Sequence, residues 1–82
     1  MPVRPTKAEI QRLVEAYARY RYLHDAPIAV QRKFHDRYKK ALAVVLKKLE
    51  ASYLSEENER GLHQAAADWW SSRASRGPGT DY

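Results

Sequence analysis

Cysteine is absent from this 82-residue chain, which excludes disulfides and thiolate metal sites and suits a reducing compartment. Glycine occurs three times, at Gly61, Gly77 and Gly79, and none of these builds a Gly-rich phosphate loop. Long hydrophobic runs are missing too. The longest spans residues 41–46, far short of a membrane crossing. Residues 1–7 hold two prolines and no apolar stretch of the kind a secretory signal needs, so a cytoplasmic protein with no membrane contact is expected. The three histidines, His24, His35 and His63, have no i,i+4 partner among themselves. No nucleophile, base and orienting group can be assembled from the sequence, so neither catalysis, a metal nor a cofactor is expected.

What the chain does have is positive charge, unevenly placed. Its net charge is +5. Residues 28–54 hold seven Lys/Arg against two Asp/Glu, whereas residues 55–82 hold three against five. The positive field therefore belongs to the middle of the chain.

That middle is organised around residues 41–46, six apolar positions between the pairs Lys39–Lys40 and Lys47–Lys48. A helix through this stretch is apolar on every side for more than a turn, which predicts a central helix covered from more than one direction. Around it, helical spacing predicts three helices near 7–23, 27–53 and 56–75. Thr6 and Glu9 fit a capping box at the first, whose apolar face carries Ile10, Leu13, Val14, Tyr17 and Tyr20. Arg12, Glu15 and Arg19 fall on its polar face. Tyr22 lies well away from the apolar face.

Asp25 and Pro27 suit the start of the second helix, with Val30, Phe34, Tyr38, Ala41, Leu42, Val45, Leu49 and Tyr53 on one broad face. Ser55 and the acidic run after it suit a third helix antiparallel to the second, with Leu62, Ala65, Ala66 and Trp69 turned inward. Arg73 and Arg76 favour its C-terminal end, and Gly77-Pro78-Gly79 stops it. The fold class is all-α: a single three-helix bundle over residues 1–76, with a long basic amphipathic central helix and a flexible tail at 77–82. The expected core is Leu13, Tyr17, Phe34, Tyr38, Val45, Leu49, Leu62, Ala66 and Trp69.

Two functional signals follow. Arg32, Lys33, Arg37, Lys39, Lys40 and Lys47 share one arc of the second helix, interrupted only by Asp36 and Glu50. A basic arc of this kind meets phosphates, which points to a non-enzymatic binding or regulatory protein acting on nucleic acid or a nucleoprotein. The bland counterpart is a solvated face that keeps the chain soluble. The other signal is aromatic and apolar. Trp70 lies about 100° from Trp69 on a helix, so both indoles cannot enter a thin bundle. Tyr22, Val44, Trp70 and Arg73 are thus interface candidates for an acidic protein partner, as in an adaptor or inhibitor, or for a homodimer that completes the collar at Val44. A small regulator of the phage or mobile-element kind fits either.

Overall fold

The computed structural model describes residues 4–23 and 26–74, with side chains as far as residue 72. The cap expected of Asp25, the side chain of Arg73, Arg76 and the tail at 77–82 lie outside the described residues. Three helices pack together: α1 (Lys7–Tyr22), α2 (Ile28–Leu49) and α3 (Glu56–Ala74). The fold is all-α.

Each helix begins where its local chemistry allows. Thr6 Oγ1 accepts from the Glu9 amide at 3.2 Å and Glu9 Oε1 accepts from the Thr6 amide at 2.9 Å, the reciprocal box expected at α1. Pro27 precedes α2 in extended backbone, and its carbonyl accepts from Val30 and Gln31. Ser55 Oγ accepts from the Asn58 amide at 3.2 Å, and the first turn of α3 carries Glu56, Glu57 and Glu59 at the positive end of its dipole.

The second helix stops four residues early. Glu50 is left-handed (φ 53°, ψ 42°), its amide reaches the Lys47 carbonyl at 3.2 Å, and the Ala51 amide reaches Leu46 at 3.0 Å. This pair of bonds is a Schellman closure, made here without the usual glycine. Tyr53, expected on the apolar face of the helix, instead sits in the link and is 79 % exposed.

Packing is centred on a different helix from the one the apolar run suggests. Helix α1 packs against both others, whereas α2 and α3 do not approach each other along their backbones. The antiparallel α2–α3 pair expected from the short link is therefore replaced by two flanks on a common hub. The reason lies in residue size. On α1, Leu13, Val14, Ala16, Tyr17 and Ala18 are all buried, spanning an arc of about 200° at 100° per residue. Two of these are alanines, and small side chains let a neighbour come close from either side. On α2 only Phe34 and Val45 are buried, about 20° apart, so one stripe is covered.

The collar at 41–46 is consequently covered from one direction only, with Ala43 and Val44 exposed. Leu49, placed in the core from its spacing, is 41 % exposed at the last position of α2. Ile10 and Tyr20 are exposed as well, at the ends of their stripe. Tyr38 and Trp69 are half-buried, packed on the rim of a core formed by Leu13, Val14, Tyr17, Ala18, Val45, Leu62 and Ala66.

Candidate functional site

The α1–α2 seam opens on one side into a cleft of about 480 Å³. Its floor is apolar: Ala16 from α1, and Phe34, Ala41 and Val44 from α2. Its rim is charged. Arg12 and Arg19 come from α1, Arg37 and Lys40 from α2, and Glu9 and Glu15 from α1. Arg37, Lys40 and Val44 stand at i, i+3 and i+7, the spacing that puts residues on one side of a helix.

The two acidic groups are already engaged. Lys48 Nζ donates to Glu9 Oε1, tying the start of α1 to the end of α2. That bond, helped by the Thr6 amide, lowers the Glu9 carboxyl to about 2. Glu15 accepts from Gln11 at 3.1 Å and lies 3.6 Å from the Arg19 guanidinium. With both acids occupied, the cations set the sign of the cleft.

Phe34 is the prop that shapes this seam. It is 2 % exposed, with the Arg19 and Arg37 guanidiniums each 5.6 Å from its ring centroid. The Arg19 guanidinium also stands 4.9 Å from the Trp69 ring, so a single cation joins aromatic faces of α2 and α3. Sequence spacing places Arg12, Glu15 and Arg19 on the polar face of the first helix. Their place in the cleft became visible only when α2 was laid beside α1.

Of the six basic residues expected to bind, all on α2, every one is exposed. They divide in two. Arg37 and Lys40 turn to the cleft, and Lys40 also meets Asp36 at 3.0 Å. Arg32, Lys33, Lys39 and Lys47 lie outside it and make no ion pair among the described residues. The interface candidates separate as well. Tyr22 and Trp70, expected as unmatched aromatics, stack on each other at 5.8 Å with both half-buried, so each satisfies the other. Val44 stays 43 % exposed and joins the cleft.

One further arrangement escaped the sequence. Rings run in succession from His35 to Tyr20, Tyr38, Tyr17 and His63, with neighbouring centroids 4.7, 5.5, 5.1 and 5.1 Å apart. The column crosses all three helices. The Tyr17 hydroxyl lies 2.9 Å from His63 Nδ1 and 3.2 Å from Nε2. Burial pushes the Tyr17 and Tyr38 hydroxyls above their ordinary values. Residues forty-six apart give no local spacing that would announce such a pair.

Among the described residues no group of three or more His, Asp or Glu side chains is placed to hold a metal ion. Nor, among them, is any helix long and apolar enough to cross a membrane. Comparison with protein-family models, with curated proteins and with solved structures finds no match to this chain.

Proposed function

We propose that this chain is a small non-enzymatic binding protein whose second helix engages a polyanion, the phosphate backbone of a nucleic acid or nucleoprotein. The observation that carries this reading is that Arg32, Lys33, Lys39 and Lys47 are exposed on one helix with no acidic partner among the described residues. A face kept only for solubility is served by interspersed Glu, and α2 has none between Ile28 and Leu49, its single acid being Asp36. Fifteen residues separate Arg32 from Lys47, about 22 Å at 1.5 Å per residue, enough to follow several phosphates. Contacts of this kind are largely independent of base sequence.

The test is a salt titration of binding to two unrelated duplexes and one single-stranded RNA. Log affinity should fall with log salt by about 0.9 per duplex phosphate contact, and alike for both duplexes. Reversing Arg32, Lys33, Lys39 and Lys47 together to Glu should abolish binding with the helical circular dichroism intact, since all four are exposed. No binding at low salt, or undiminished binding by the reversed protein, removes the reading.

A second reading is supported by the cleft. Arg12, Arg37 and Lys40 stand around an apolar floor that includes Val44, and that combination suits an acidic protein segment with an apolar anchor better than bare phosphates. Capture of such a segment after nuclease treatment separates the two.

A further inference from the structure

We infer that the cleft between α1 and α2 is filled by a second copy of this chain, through the bend that joins α2 to α3. The inference rests on the second reading above and names the acidic partner.

Two surfaces of the molecule are unmatched, and they are complementary. The first is the cleft, apolar below and cationic at its rim, with its own acids held by Lys48, Gln11 and Arg19. The second is the bend and the first turn of α3. Tyr53 is 79 % exposed there, with the exposed Leu49 four residues before it and Glu56, Glu57 and Glu59 three to six residues after it. Two of these carboxylates meet neighbours on their own helix, and among the described residues none ties one helix to another. Glu56 meets only the exposed Arg60, at 2.8 Å, and Glu59 lies 3.8 Å from His63. Glu57 makes no ion pair among the described residues. Exposed pairs of that sort contribute little and are readily exchanged.

An exposed tyrosine beside acids is the apolar anchor with anionic flank that the cleft suits. Tyrosine carries a large contact area at low entropic cost, which makes it a common anchor in interfaces. The cleft of one chain holds the Tyr53 bend of the other, with Val44 and Ala41 beneath the ring and Arg12, Arg37 and Lys40 against the glutamates. Each chain offers both surfaces. A two-fold arrangement then uses both clefts at once and closes the assembly as a dimer. Arg32, Lys33, Lys39 and Lys47 stay outside the contact, so the polyanion reading neither supports nor opposes it.

The experiment is analytical ultracentrifugation of the whole chain after nuclease treatment and removal of nucleic acid, over a concentration series at low and high salt. A dimer that dissociates on dilution and weakens with salt is expected. Tyr53→Ser and Arg37→Glu should each weaken association about tenfold or more, as should Glu56→Lys combined with Glu57→Lys. Tyr53 takes no part in the core, so its substitution reads the interface without threatening the fold. Mixing the Arg37→Glu chain with the Glu56→Lys/Glu57→Lys chain places opposite charges across one contact and should restore a heterodimer. A monomer at every concentration overturns the inference. So does a dimer indifferent to Tyr53→Ser, or a mixture that fails to associate. Titration of the monomer with poly-glutamate then separates the levels: binding leaves an acidic partner other than the chain itself, and no binding removes the acidic-partner reading too.

Discussion

The two seams that α1 makes differ in what fills them. Toward α3 the fully buried Ala18 and Ala66 lie at the centre, flanked by the Tyr17–His63 hydrogen bond, the Tyr22–Trp70 stack and the Arg19 guanidinium over Trp69. Toward α2 the contact is propped by Phe34 and bordered by long charged side chains, and a cleft remains. Two alanines leave no side-chain bulk between the backbones, so both are fully buried at the centre of the α3 seam. Arginine and glutamate can bury their stems but not their charged heads, so a seam bordered by them stays open to water. One helix thus carries a structural side and an accessible side.

The largest expected effect comes from removing the prop. Phe34→Ala should cost about 3–5 kcal/mol, because the ring is buried and the Arg37 guanidinium loses its aromatic face while Arg19 keeps only Trp69. Urea denaturation measures it. A midpoint equal to the parent's would mean that the open seam contributes no stability and that the bundle stands on the α1–α3 contact alone.

Enlarging one alanine in each seam tests the contrast directly. Ala66→Leu inserts three carbon atoms where there is no room and should destabilise by about 1–3 kcal/mol. Ala41→Leu points the same addition into the cleft and should stay within about 0.5 kcal/mol. Equal costs in thermal melts would show that the two seams are packed alike.

The smallest effect lies at the bend after α2. Glu50 holds a left-handed conformation that an L side chain enters at a cost, and glycine enters freely. Glu50→Gly should stabilise by about 0.5–1 kcal/mol once the added flexibility of the unfolded chain is subtracted. A loss of stability would show that the Schellman closure is held by the glutamate side chain and not by the backbone.

The class of fold and most of the element starts were legible in order along the chain. The Thr6 and Glu9 box, the Ser55 cap and the acidic first turn of α3 are local, each decided within four residues. Phe34, Tyr17, Leu13, Val45, Leu62 and Ala66 were legible as core from spacing alone, since a helix has to bury its widest apolar stripe. The end of α2 was not. The pattern runs on through Tyr53, and the left-handed turn at Glu50 carries no glycine to mark it.

Of the candidate site, spacing alone yielded the α2 half: Arg37, Lys40 and Val44 were singled out for charge and for apolar excess. Their joining with Arg12, Arg19 and Phe34 in one cleft depended on which helix lies beside which, and periodicity ranks the faces of a single helix without pairing them. The apolar run at 41–46 marks the greasiest stretch, yet the hub went to α1, where small residues on two sides allow two neighbours to approach. Local composition therefore determined the helices, their caps and their charges. Close packing between distant residues decided the rest: which helix is central, which aromatics satisfy one another, and where the surface stays open.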